Sequence, residues 1–456
     1  MKKIYSEKEI REIARSLIGK TFGELNDFEI SDDDYGKGSF GYILEEDVYQ
    51  YGANSKSEPD FEEAGIELKV TPYKRNNNGT LSAKERLVLN IINYMNEYKN
   101  TFYTSDFWNK NKRLQIVWYL YEPDKLRSNF KVTHELLFEF PEKDLRIIKN
   151  DWQIIIDKIK AGKAHEISEA DTMYLGACTK GASSKSVRKQ PFSDIMAKQR
   201  AFSLKTTYMT QLVRKYIANE DFEELDYSFD TEFSFENDIK QRLRKYKGLS
   251  VNELSKLFGI VNEPKHLLDI IISRLFGIKG KVSNTNEFSK ANIITKTIRI
   301  NKNNRMIESM SFPAFKFTEI VNHEWEESDL YTYFSTTKFM FAVFKQKDDD
   351  EYYFEKVVFW NMPLSILDTE LRGVWKKTVD IIKSGNIVKE IKNGKVYNNF
   401  PKLSDNHYCH VRPHGRNKDD VYPLPVPDKL TGVVEFTKQC FWLKNKYIQD
   451  IINSED

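Results

Sequence analysis

The chain has 456 residues, 70 Lys plus Arg against 68 Asp plus Glu, and 40% hydrophobic residues. The length suits two to four domains, and the composition supports real cores and excludes a globally disordered chain. A net charge of +2 gives no global signature of a nucleic-acid binder, so any basic face must be local.

Three cysteines exclude a disulfide framework and suit a reducing, cytoplasmic setting. The opening MKKIYSEKEIREIARSLIG carries no apolar signal-peptide core, and no apolar run is long enough to span a membrane, so no membrane partner is expected. In chain order, Ser6 and Glu9 form a capping box that starts a helix with Ile10, Ile13, Ala14, Leu17 and Ile18 on one face. Strands are expected at Ile66–Val70, Leu114–Leu120 and Glu135–Phe140, and amphipathic helices at 145–160 and 204–217.

The chain also repeats itself. Trp152 opens WQIIIDKIKAG and Trp375 opens WKKTVDIIKSG, each ten residues from Trp to Gly. KRLQIVWYLYE (112–122) parallels TKFMFAVFKQK (337–347), AKQRAFSLK (197–205) parallels TKQCFWLK (437–444), and GKTFGELN (19–26) parallels KGLSVNELSK (247–256). Four pairs in one order predict a duplicated α/β domain, since the period is far too long for a solenoid. The expected organisation is a first domain at 1–220, an acidic linker at 221–245 and a second domain at 246–456.

Chemistry concentrates in SEPDFEEAGIELKV. On a strand, Glu67 and Lys69 leave the same face, while Leu68 points the other way and can enter a core. A turn could bring Asp60 back beside Glu67. Two carboxylates and the Leu68 backbone carbonyl make a hard oxygen site suited to Mg²⁺, with a lysine beside it to orient water or stabilise a phosphorane. That is equipment for phosphodiester hydrolysis. The competing reading is a half-buried strand with charged residues facing solvent.

The stretches KGSFGYILEEDVYQYGANSKSEPDFEEAGIELKVTPYKR (37–75), SAKERLVLNIINY (82–94) and KAHEISEADTMYLGACTKGASSKSVRKQPFSDIMAKQRAFSLK (163–205) resemble the family of the MutH mismatch-repair endonuclease and the GATC-cutting restriction enzyme of the Sau-three-A type. The resemblance is nearest to the latter and extends into the duplicated half. It implies two tandem domains of the PD-(D/E)xK restriction-endonuclease-like fold, each a central mixed sheet flanked by helices. It implies Mg²⁺-dependent type II cleavage of double-stranded DNA at GATC, 5′ of the G. Since one catalytic copy cuts one strand per engagement, cutting both strands of a two-fold site calls for a second chain or sequential nicks, and transient dimerisation on DNA is expected.

Residue by residue, the resemblance makes Asp60, Glu67 and Lys69 the catalytic core and Glu45 a further active-site glutamate. Lys110 becomes a further active-site lysine, with Lys112 as the competing match, and Lys37 a DNA contact. Cys178, Thr179, Lys180 and Gly181 occupy the place of the family's base-reading Arg-Pro-Lys loop, so only Lys180 is retained. Ser203 replaces a tyrosine that senses adenine methylation, which favours a restriction enzyme over a methylation-directed nickase. Lys and Arg at 180–205, including Lys185, Arg188, Lys189, Lys198, Arg200 and Lys205, read as phosphate contacts.

In the second copy, Ile294 stands opposite Glu67, Lys296 opposite Lys69, Glu287 opposite Asp60 and Ile270 near Glu45, so that copy is expected not to cleave. It carries Arg412, Pro413 and His414 at the loop position, and Trp442 in place of Ser203. A groove-reading loop without a catalytic set reads as a DNA-binding effector domain. The glycines at 36–41 fit a kinase-type loop, but no H-R-D or D-F-G follows. His407, Cys409, His410 and His414 match no zinc spacing.

Overall fold

The computed structural model describes residues 4–26, 38–51, 58–181, 186–225, 234–261 and 264–455. Two compact units emerge: Met1–Phe235 with Ser283–Asn292, and Glu236–Val282 with Ile293–Asp456. Among the described residues no helix is long and apolar enough to cross a membrane. All three cysteines are unpaired and buried.

In the first unit the strands are β1 (Glu67–Arg75), β2 (Leu81–Ala83), β3 (Leu87–Ile91), β4 (Arg113–Leu120), β5 (Val132–Glu139), β6 (Leu175–Thr179), β7 (Val187–Gln190), β8 (Ser193–Lys198) and β9 (Arg200–Leu204). A mixed sheet runs β2-β1-β4-β5, with β1 parallel to β4 and the other pairs antiparallel. Leu114, Ile116, Val117 and Trp118 are buried on both faces of β4, which is why that strand reads as a continuous apolar run. The helix Glu7–Ser16 begins at the capping box: Glu9 N–H donates to Ser6 Oγ, and Ser6 N–H donates to Glu9 Oε2. It buries Ile10 and Ala14 in a cluster that also takes Leu68 from β1.

A second, antiparallel sheet runs β3-β9-β6, and β7-β8 forms a ribbon. The expectation of one central sheet per copy is corrected here. β3, β6 and β9 pair with each other rather than extending the first sheet, so each unit holds several small sheets.

The second unit comprises β10 (Ile293–Ile300), β11 (Met310–Phe315), β12 (Lys338–Gln346), β13 (Tyr352–Asn361), β14 (Val388–Lys392), β15 (Lys395–Asn398), β16 (Cys409–Pro413), β17 (Val421–Pro423), β18 (Glu435–Thr437) and β19 (Gln439–Leu443). Its sheet β10-β12-β13 pairs β10 parallel to β12 and β12 antiparallel to β13, as β1-β4-β5 does. Its sheet β11-β19-β16 is antiparallel throughout, like β3-β9-β6. The register agrees too. Glu67 faces Leu114 and Ile294 faces Phe339, residues that coincide when the two β4/β12 sequences are superposed.

The two Trp-to-Gly helices end by the same device. Gly162 (φ +69°) and Gly385 (φ +65°) are both left-handed, and a Cβ on either would stand 2.5 Å from Phe192 O or 2.7 Å from Pro427 O. Only glycine accepts that conformation and that approach together.

Two boundary expectations change. The last part of the expected linker is helical, Phe235–Leu243, and buries Ile239 and Leu243 while Glu236 pairs with Lys338 of the second unit. Glu287 sits on the helix Asn286–Ala291, which belongs to the first unit and accepts the Leu225 amide at 3.2 Å. It is therefore no structural counterpart of Asp60. Lys290 of that helix holds Asp144 at 2.8 Å in a buried ion pair.

Candidate active site

β1 positions the cluster. Residues 61–66 form a tight hairpin in which Phe61 N–H donates to Ile66 O at 2.9 Å and Gly65 takes φ +62°. This turn folds Asp60 back over the strand. Asp60 N–H donates to Glu67 Oε2 at 3.0 Å, and Leu68 N–H donates to Asp60 Oδ2 at 3.0 Å. The alternation then works as read from the sequence: Leu68 joins the core cluster, while Lys69 Nζ turns to Glu67 Oε1 at 2.6 Å.

Lys110 ends the helix Asp106–Asn111, is buried, and places Nζ 3.5 Å from the same Glu67 oxygen. Lys112 packs toward Gly65 instead. Glu45 arrives on a π-helical turn, Leu44–Val48. The Tyr51 hydroxyl hydrogen-bonds to Asp60. Tyr51 escaped the sequence reading, because one more aromatic residue in a Tyr-rich stretch carries no pattern.

The electrostatics follow from burial. Glu45 is pushed up to about 7 by desolvation, with Asp60 and Glu67 adding to the shift and Lys69 and Lys110 opposing it. Desolvation also raises Glu67, against the pull of Lys69. Burial works against the charge of Lys69, but Glu67, Asp60 and Glu45 outweigh it and raise its pKa. Three carboxylates thus press on one another around two ammonium groups, an excess of negative charge that a divalent cation offsets.

Among the described residues no three His, Cys, Asp or Glu side chains form a ready metal cage. Mg²⁺ keeps several waters and takes only one or two carboxylates, so Asp60, Glu67 and the Leu68 carbonyl fit it as a donor set.

The cluster opens on a cleft of about 780 Å³. Lys69, Lys84, Arg86, Lys125, Arg127 and Lys180 line it against one acid, Glu85. The local basic face that net charge concealed is here. Cys178, Thr179, Lys180 and Gly181 line the same cleft, with Cys178 buried and the other three exposed. The loop is pinned where Lys180 N–H donates to Gln199 O at 2.8 Å. Lys37 and Lys185 lie outside the described residues.

Ser203 is 0% exposed on β9, between Gly176 and Val88, with its hydroxyl buried and unpartnered. Arg200 and Lys205 are likewise buried and donate to Ala177 O and Thr172 O, which makes them structural rather than phosphate contacts. Arg188, Lys189 and Lys198 remain exposed on the β7-β8 ribbon.

Asp151 also escaped the sequence reading. Fully buried on the helix Glu142–Lys160, it accepts the amides of Met173, Tyr174 and Leu175 at 2.7, 2.6 and 2.9 Å and so fixes the start of β6. Its pKa is pushed up to about 6 by burial against those three donors.

In the second unit the strand register puts Ile294 in the place of Glu67 and Lys296 in that of Lys69. Burial lowers the pKa of Lys296, with Asp269 opposing. The cleft beside β10, about 880 Å³, is acidic, with Asp269, Glu308, Asp349, Asp350 and Glu351 among its walls. Arg412, Pro413 and His414 are exposed at the end of β16. The Arg412 guanidinium lies 5.3 Å from the Trp442 ring and the His414 ring 5.8 Å from it. His407 pairs with Asp450 at 3.2 Å, whereas His410 is fully buried and held down to about 4 by desolvation, so the two do not converge on one ion.

An Asp/Glu/Lys cluster on a mixed sheet, with its Lys69 lining a basic cleft, is the equipment of an endonuclease. The family model described as DNA mismatch repair enzyme MutH matches residues 49–151, which contain that cluster. The type II restriction enzyme Sau3AI of Staphylococcus aureus is 37% identical over 98% of this chain and 99% of its own length. MutH of Vibrio campbellii is 27% identical over 47% of this chain and 96% of its own, and MutH of Shewanella woodyi 26% over 46% and 94%. The chain belongs to the MutH and Sau3AI family of endonucleases, and is a full-length homologue of the restriction enzyme.

Proposed function

We propose that this protein is a Mg²⁺-dependent type II restriction endonuclease that hydrolyses both strands of double-stranded DNA at GATC. The observation that carries this reading is the Asp60–Glu67–Lys69 network, whose Lys69 lines the basic cleft. Asp60, Glu67 and the Leu68 carbonyl would hold the ion, which would supply Lewis-acid polarisation of the phosphoryl oxygen. Lys69 faces the attacked phosphate and stabilises its developing charge. Lys110 keeps Glu67 ionised. Glu45, poised near neutrality, takes a proton from the attacking water. Thr179, Lys180 and Gly181 approach the bases, and Lys37 and the ribbon cations approach phosphates.

The second unit acts as an allosteric DNA-binding effector. Ile294 leaves it without a metal carboxylate, and its acidic cleft repels a duplex, so DNA docks at Arg412, Pro413, His414 and Trp442. With one active site per chain, two chains pair on a two-fold site to cut both strands.

Likeness to MutH sustains a second reading, a nicking enzyme of mismatch repair. One assay separates them: Mg²⁺ with plasmids carrying zero, one or several GATC sites. Linear products with mapped ends at GATC support the restriction reading. Open circles alone support the nickase, and intact plasmid in every arm overturns both.

A further inference from the structure

The two units each place a guanidinium beside an equivalent three-stranded sheet, but from opposite edge strands. In the second unit β16 pairs with β19 so that His410 faces Trp442 and Arg412 faces Cys440. In the first, β6 pairs with β9 so that Gly176 faces Ser203 and Cys178 faces Ala201. Cys178 therefore occupies the register position of Arg412. The third strand completes the exchange. Val88 pairs with Ser203 and Ser311 with Trp442, so Arg86, two residues before Val88, corresponds to Ser309. One unit carries Arg86 and Cys178, the other Ser309 and Arg412.

Arg86 is not a loose surface arginine. Its Nη1 donates to Glu169 in an ion pair whose side chains are 34% and 12% exposed. Glu169 stands on a short turn, Glu169–Asp171, fixed where Lys158 holds Asp171 at 2.7 Å. Gly176 makes the room: a Cβ there would lie 3.1 Å from Glu169 Cγ. Arg86 lines the same cleft as Lys69 and Lys180. A five-donor planar fork, held by one carboxylate and directed into a DNA-sized cleft, is suited to an acceptor pair on a base edge.

We infer that Arg86 is a specificity-determining residue of the first unit: it reads a guanine of the target through O6 and N7, and Glu169 positions it. The inference deepens the proposed function and rests on it.

The test compares kcat/KM on duplexes containing GATC or its 7-deazaguanine analogue, which lacks the N7 acceptor. The proteins are wild type, Arg86→Gln and Arg86→Lys; the lysine variant keeps a cation beside Glu169 but loses the fork. Wild type is expected to lose roughly ten- to hundred-fold on the analogue. Both variants are expected to lose about that much on guanine itself and little more on the analogue. An equal analogue penalty in wild type and in folded Arg86→Lys overturns the inference, as does a wild type indifferent to the analogue. Wild type that leaves every GATC duplex intact removes the function reading, and this inference with it. Glu169→Gln is expected to narrow the guanine-to-analogue ratio, and an unaltered ratio counts against its positioning role.

Discussion

The backbone amide of Asp60 donates to Glu67 Oε2 at 3.0 Å, so one carboxylate residue holds the other in place without using its own side chain. The Asp60 carboxylate stays beside Glu67, with one oxygen accepting the Leu68 amide. Glu67→Gln keeps the shape of this arrangement but removes the charge. Cleavage is expected to fall by at least about 10²–10³-fold, with DNA binding in Ca²⁺ retained. Plasmid cleavage and fluorescence anisotropy together measure this.

Lys110 Nζ approaches Glu67 Oε1 to 3.5 Å. Lys110→Met removes a cation that lowers the Glu67 pKa, so that pKa rises further. The acid limb of the pH–rate profile is expected to move to higher pH. Lys112→Met is expected to leave it in place.

Burial, with Asp60 and Glu67 adding to it, holds the Glu45 carboxyl up to about 7, well above the usual glutamate range. A carboxyl whose folded pKa is raised binds its proton more tightly folded than unfolded. Folding stability of the metal-free protein therefore declines as pH rises from about 4.5 to about 7, and the decline ends above that window. In Glu45→Gln that part of the decline is expected to vanish. Urea midpoints at pH 5 and pH 8 in EDTA check the difference.

Asp151→Ala strands three buried amides, those of Met173, Tyr174 and Leu175. A loss of about 3 kcal/mol or more is expected in chemical denaturation. Because those amides open β6, looser sequence discrimination is expected as well, read as cleavage at sites differing from GATC by one base.

Arg412→Ala leaves the metal cluster untouched. Stimulation of cleavage by additional GATC sites is expected to weaken, while cutting of a single-site plasmid persists. Unchanged stimulation counts against the effector role.

The sequence made β1 legible because its chemistry is local. Period two puts Glu67 and Lys69 on one face and Leu68 on the other, and the hairpin that returns Asp60 spans only residues 61–66. The amphipathic helix at 145–160 is present as Glu142–Lys160 for the same reason. The second sheet was not legible, since β3, β6 and β9 are far apart in sequence and each is too short to show where it pairs. The burial of Ser203 was not legible because position alone does not distinguish a side chain under the sheet from one in the groove. Asp151 and Glu169 resembled the polar faces of their elements. Only the tertiary packing reveals that their partners are backbone amides and a guanidinium.

The helix Asn286–Ala291 has a consequence for how the molecule is made. Lys290 neutralises the buried Asp144 from a segment placed after the first stretch of the second unit. A ribosome must therefore release residue 292 before the nuclease half can close, and a protein cut after residue 235 lacks that ammonium group. An excised nuclease half needs residues 283–292 grafted back or supplied as a peptide.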